Sequence, residues 1–233
     1  MGHKPSGRVK EPMPLNSADL KTSDAIWERV RDLDRSEGSG AHPLLWHLAN
    51  PATQLRDLAD AMHFLCLIHG NHPGLFDLAL ANGADPLASQ WLTTASDNFH
   101  TERAFLVALS AAAGPPPSTP AHAESETAVT AQRHALEMLS RSDRAGCATG
   151  AAIALALEWP IIRQILDSAA RRLEIDVPPL AMPPESETAS LMAAMATTAP
   201  VERAMLFGFR QVLAQHRGLW ELLEARVDAR ERA

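Results

Sequence analysis

Glu102, Glu158, His69 and His216 each stand where a helical bundle normally places Leu. Ala88, Leu92, Ala95, Phe99, Leu106, Leu109 and Ala113 recur at alternating four- and three-residue steps, and Glu102 fills the one gap. Such steps draw one apolar seam along a helix. Glu158 interrupts a seam with Leu155, Ile162, Ile165 and Ala169, His69 closes one with Leu55, Leu58, Met62 and Leu65, and His216 fills a gap among Met205, Phe209, Val212, Leu219 and Leu223. A carboxylate or imidazole facing a core is costly unless it is paired, protonated or bound to something. These four residues are therefore the candidate metal ligands or proton carriers. Carboxylates with imidazoles suit iron or manganese, which could activate oxygen in a dry pocket.

Each candidate also has a structural role open to it. A buried Glu102 is more often an ion-pair partner, here for Arg133, Arg163 or Arg210. His69 is expected at a helix C-terminus, where the helix dipole favours an imidazole. His72 lies three residues further on and could share a metal with His69, but Gly70 should end the helix between them. A lone His on an apolar face, such as His216, is usually a hydrogen-bonded core residue. His134 and Glu137 are a weaker pair of metal candidates, three residues apart, with Arg133 placed to form a surface pair with Glu137. No phosphate-binding glycine loop, GxSxG elbow or HExxH zinc motif is present in the sequence.

Helices must carry these residues. Ala and Leu dominate, aromatics are 5%, Tyr is missing, and few segments alternate as strands do. Residues 1–16, with three prolines, read as a disordered arm. The first helix starts near Ser17 or Ser23 and stops at Gly38-Ser39-Gly40, and an apolar turn covers Pro43 to Leu48. Asn50-Pro51 and Asp85-Pro86 each look like an N-cap followed by proline in the first helical position. The helices behind them run to Gly70 and to about Ala113, with a short helix from Leu75 to Asn82 between. Others cover 122–140, a run from Ser142 to about Leu173 kinked at Pro160, 186–198, and Pro200 to the charged end. The fold class is thus all-α, a single-domain bundle of about seven to nine helices over residues 17–233. The Pro-rich linker 114–120 is the one candidate lobe boundary.

The apolar fraction of 46% suffices for a sizeable core, and the net charge of -7 argues against nucleic-acid binding through phosphate neutralisation. No apolar run is long enough to span a membrane. Cys66 and Cys147 lie far apart in helical runs, which suggests a reducing, cytoplasmic setting. The Ala- and Arg-rich usage is of a bacterial kind. Nothing in the sequence identifies a protein partner, and a homo-oligomer is compatible with it.

Inward-facing Glu and His on separate helices of an Ala/Leu bundle resemble the ferritin-like and haem-oxygenase-like bundles, through His69, Glu102, Glu158 and His216, with His134 and Glu137 as further candidates. In ferritin-like di-metal proteins two helices each carry Glu-x-x-His. Here Phe105 stands three residues after Glu102, Ile161 stands three after Glu158, and His134-x-x-Glu137 reverses the order. The resemblance therefore implies the architecture, and at most one metal site. Three readings follow. The leading one is a helical bundle that binds a small molecule or a protein without catalysing a reaction. The second is an iron- or manganese-dependent oxidoreductase using Glu102, Glu158, His69 and His216. The third is an adaptor whose exposed Trp27, Trp46 or Trp220 anchors a partner.

Overall fold

The computed structural model describes residues 17–232 apart from residue 84, with side chains from residue 25 onward. The arm expected over residues 1–16 lies outside the described residues. Among those described, nine α-helices and one 3-10 turn occur, and no strand: α1 (Ser17–Glu37), the 3-10 turn (Ser39–Ala41), α2 (Pro43–Ala49), α3 (Leu55–His69), α4 (Leu75–Ala81), α5 (Pro86–Ala112), α6 (His122–Ser140), α7 (Cys147–Leu173), α8 (Glu185–Met195) and α9 (Ala199–Glu231). None of these helices is long and apolar enough to cross a membrane.

Helix α7 is the central rod. Its segment Ala151–Ala156 is buried on every side, and the helix touches each of α1 to α6, with α9 as its main neighbour. Small side chains let those neighbours approach. At the α7–α9 crossing, a Cβ on Gly150 would lie 2.1 Å from the Met205 carbonyl oxygen, and one on Gly208 would lie 2.1 Å from that of Cys147. Only glycine permits this spacing, which brings Glu158 of α7 and His216 of α9 within reach of each other.

One apolar core includes Leu58 and Leu65 of α3, Leu92 and Leu106 of α5, Ile153 and Ile162 of α7, and Phe209 and Leu219 of α9. Residues on both sides of the Pro-rich linker thus share it, as a single domain requires. The linker is tied down at both ends. His63 Nε2–H donates to the Gly114 carbonyl at 2.8 Å, and Arg230 donates to Thr119 Oγ1 at 2.9 Å. The C-terminal part of α9 is fastened to α3 by Arg226 across Asp60 (2.7 and 2.8 Å) and by Arg230 to Asp57 (2.7 Å).

Three local expectations need correction. Pro43–Ala49 is a helix rather than a turn, capped by the His42 ring, which accepts the Leu44 N–H. Asn50-Pro51 does not open α3: the Asn50 side chain accepts the Ala52 N–H at 2.9 Å in a local turn, and the helix begins at Leu55. The run expected from Ser142 begins later, as α7 starts at Cys147 behind Gly146 in the left-handed conformation (φ 88°). Asp85-Pro86 behaves as expected, with Asp85 Oδ1 accepting the Leu87 N–H at 2.9 Å. Pro160 lies inside α7 without ending it, on the exposed side of the helix.

Candidate functional site

Three of the four seam residues join in one buried hydrogen-bond chain. Trp220 Nε1–H donates to Ser39 Oγ at 2.8 Å. Ser39, in the 3-10 turn after α1, donates its hydroxyl to Glu158 Oε2 and its backbone N–H to Oε1, the latter at 2.8 Å. His216 Nδ1 lies 2.9 Å from Glu158 Oε2, and its Nε2 lies 3.0 Å from Nε2 of His69. Every side chain in the chain is buried.

Donor and acceptor types fix the polarity of this chain. An indole N–H can only donate, so Ser39 Oγ accepts it and turns its own hydrogen towards Glu158. A carboxylate receiving these bonds accepts again from His216 Nδ1–H. The two facing Nε2 atoms then share one proton between them. With His216 neutral, His69 Nε2–H donates and His69 Nδ1 is a bare acceptor. With an added proton on His216, His216 Nε2–H donates and His69 carries its hydrogen on Nδ1. His69 itself is held neutral: burial lowers its pKa well below the usual histidine value, and His216 and Arg103 add to the effect. Near the other end, burial first and Glu158 second raise the Asp34 pKa to about 6, with Glu185 adding to the rise and Arg31 opposing it.

Glu102 is engaged elsewhere. Arg163, one of its three expected partners, places Nη1 at 2.5 and 2.7 Å from the two carboxylate oxygens, and Trp159 Nε1–H donates at 2.8 Å. Arg163 also reaches Asp167 at 2.7 Å and the Pro178 carbonyl at 2.5 Å, and lies over the Phe105 ring. The Trp159 ring separates this pair from His69, edge to face with it at 5.6 Å between centroids. The expected ligand set of Glu102, Glu158, His69 and His216 therefore does not form one coordination sphere. Glu158 lies behind His216, and Glu102 lies beyond an indole. Among the described residues no three His, Cys, Asp or Glu side chains are grouped to hold a metal ion.

The chain ends at a cavity of about 20 Å³, room for one water, lined by His69, Phe99, Leu136, Gly74 and Arg133 among others. Among the described residues the buried Arg133 Nε–H has no hydrogen-bond partner. Glu137 Oε1 lies 3.5 Å from that nitrogen, outside hydrogen-bonding geometry. Asn71 and Arg133 also line a cleft of about 330 Å³ between α3 and α6, with His63, Ser110, His122 and the apolar Phe64 and Leu67. Cys66 borders it too. Burial pushes that thiol upward against the opposing Ser110 hydrogen bond, so it is a poor nucleophile.

The remaining candidates lie apart. His72 is exposed beside Asp77, 3.3 Å away, and Arg103 rather than a metal bridges towards both. Burial acts to raise the Asp77 pKa, but Ser96, the Gly74 N–H, Arg103 and His72 outweigh it and hold the value low. His134 is exposed and pairs with Glu137 at 3.4 Å on the surface of α6. Trp220 is fully buried by its bond to Ser39, which removes it as a surface anchor. Trp27 is half-buried, and Trp46 is 51% exposed. Ser39 and Trp159 were not legible as members of this network: Ser39 stands in a glycine break and Trp159 reads as ordinary core. Arg133 was legible as a surface partner of Glu137 and as one of three possible partners of Glu102, a place that Arg163 takes.

The fold and site define an all-α bundle with a polar chain running through its core. The chain belongs to a family of unknown function, DUF6975, whose match covers residues 34–231. No curated protein and no solved structure matches it significantly.

Proposed function

We propose that this bundle is a binding protein for a small polar molecule, received in the cleft between α3 and α6 and anchored where the cleft meets the His69 cavity. The observation that carries this reading is Arg133 Nε–H, buried and without an acceptor at that junction. A buried donor left unpaired is costly, so an acceptor atom from a bound molecule is favoured there. The cleft volume of about 330 Å³ suits a small ligand. The oxidoreductase reading has less support, because Arg163 and Trp159 engage the carboxylate of Glu102 that would have held iron or manganese.

Ligand-observed NMR against a library of small polar molecules tests this. Binders should lose about tenfold in affinity in Arg133→Gln, the scale of one charge-assisted hydrogen bond. A library without binders, or binders indifferent to Arg133→Gln, contradicts the reading.

A further inference from the structure

We infer that two copies of this chain pack antiparallel along α9, each laying the basic half of that helix on the acidic half of the other. Helix α9 carries two seams. The inner one holds Met205, Phe209, Val212, His216 and Leu219 in the core. The outer one runs along the opposite face at the same alternating four- and three-residue steps, and every member is exposed. Arg203, Phe207, Arg210, Ala214 and Arg217 form its first half. Glu221, Glu224, Asp228 and Glu231 form its second.

Within one molecule this order of charges is unfavourable. Glu221 and Glu224, Glu224 and Asp228, and Asp228 and Glu231 stand three or four residues apart, where like charges repel. Asp228 and Glu231 also lie in the last turn, where the helix dipole disfavours carboxylates. Asp228 has Arg232 at 3.8 Å, and Arg217 donates to the Glu37 carbonyl at 2.9 Å. Arg203, Arg210, Glu221, Glu224 and Glu231 have no ion-pair partner among the described residues.

A second copy supplies the missing partners. An antiparallel pair with its two-fold axis at Arg217 sets Arg203 opposite Glu231 and Arg210 opposite Glu224, and symmetry makes each contact twice. The two Arg217 side chains meet at the axis, each with Glu221 one turn along its own helix. Ala214 leaves room beside the axis, and Phe207, 43% exposed, adds a large apolar contact towards each end.

Helix α6 repeats the polarity. It runs beside α9 in the opposite direction: Arg226 of α9 donates to Ser125 near the start of α6, and Arg144, just past its end, lies over the Phe207 ring at 5.3 Å. The exposed Glu124 and Glu126 therefore flank the acidic half of α9, and Arg141 and Arg144 flank the basic half. The opposing charges at the basic end are Asp143, and Glu202 held by Arg29. The same axis places the α6 flanks of the two copies side by side, basic end to acidic end. Exposed ion pairs are weak and screened by salt, so this dimer is weak and salt-sensitive.

Sedimentation equilibrium of the full chain tests this. The expected result is a dimer in about 20 mM salt whose affinity falls about tenfold or more by about 200 mM salt. Arg210→Glu and Glu224→Arg should each abolish it at low salt. Mixing the two variants should restore a heterodimer, because both facing pairs are then of opposite sign. Both positions are exposed, so thermal unfolding of each variant should match the wild type. A wild-type chain that stays monomeric at low salt overturns the inference, whatever the variants do. So does a dimer that survives either single variant, which places the contact on another surface. A mixture that stays monomeric overturns it as well, because the antiparallel pairing requires that rescue.

Discussion

His69 and His216 meet through their Nε2 atoms, 3.0 Å apart, inside a cage where Trp159 and Phe99 stand edge-on to the His69 ring. Two nitrogens at that distance hold one proton between them. His69 therefore resists charging in the folded protein, whereas in the unfolded chain it protonates near the ordinary histidine value of 6.5. Its contribution to stability is fully present above that value and is lost as pH falls below it, by up to about 1.4 kcal/mol per pH unit. Urea unfolding between about pH 7 and pH 5 should show this slope, and His69→Gln should remove it. An unchanged slope in the variant would assign the acid sensitivity to other groups.

Asp34 gives the opposite pH dependence. Its pKa of about 6 exceeds the ordinary aspartate value of 3.8, so the folded state favours the protonated acid. The stability this contributes is complete below about pH 3.8 and is lost as pH rises through about 6. Asp34→Asn should therefore stabilise the protein at pH 7 and change little below pH 3.8. That difference corresponds to roughly 3 kcal/mol, and solvent screening at this partly exposed carboxylate reduces it to about 1 kcal/mol. Paired unfolding curves at the two pH values check the sign.

The Glu102–Arg163 pair should behave as a buried couple. Arg163→Met leaves a carboxylate in the core with only the Trp159 indole, and should cost about 3–5 kcal/mol. Glu102→Leu combined with Arg163→Met should be less destabilised than the sum of the single variants, because the second change removes the stranded charge. Strict additivity in a denaturant double-mutant cycle would show that the two groups do not act on one another.

The α7–α9 crossing should be intolerant of a single methyl. Gly150→Ala and Gly208→Ala each drive a Cβ to 2.1 Å from a backbone oxygen, and backbone cannot move aside as a side-chain tip can. Each should cost about 1–3 kcal/mol or more through overpacking. Gly218→Ala meets only the Gln132 side-chain amide, at 2.8 Å, and gains helix propensity, so its net effect should be within about 1 kcal/mol. Thermal unfolding of the three variants side by side would show whether the close approach sets stability.

The seams were legible because helical periodicity is a local signal: Glu102, Glu158 and His216 face the core as their spacing requires. Leu55 was misplaced on such a seam. It opens α3 at 45% exposure, where the helix has not yet reached the core. Which partner each polar residue finds is a tertiary fact. Arg163 was one of three arginines that sequence could not separate, and Ser39 lies 119 residues from the Glu158 carboxylate it holds. Asn50-Pro51 misled for a local reason: an Asx turn and an N-cap use the same side-chain acceptor.

Ring-nitrogen NMR of 15N-labelled histidines tests the central claim, a buried neutral His69 joined to His216 through facing Nε2 atoms, most directly. At about pH 6 the account predicts that His69 is still neutral and carries its hydrogen on Nε2, which it donates to His216. A His69 charged at that pH, or one carrying its only hydrogen on Nδ1, would contradict it.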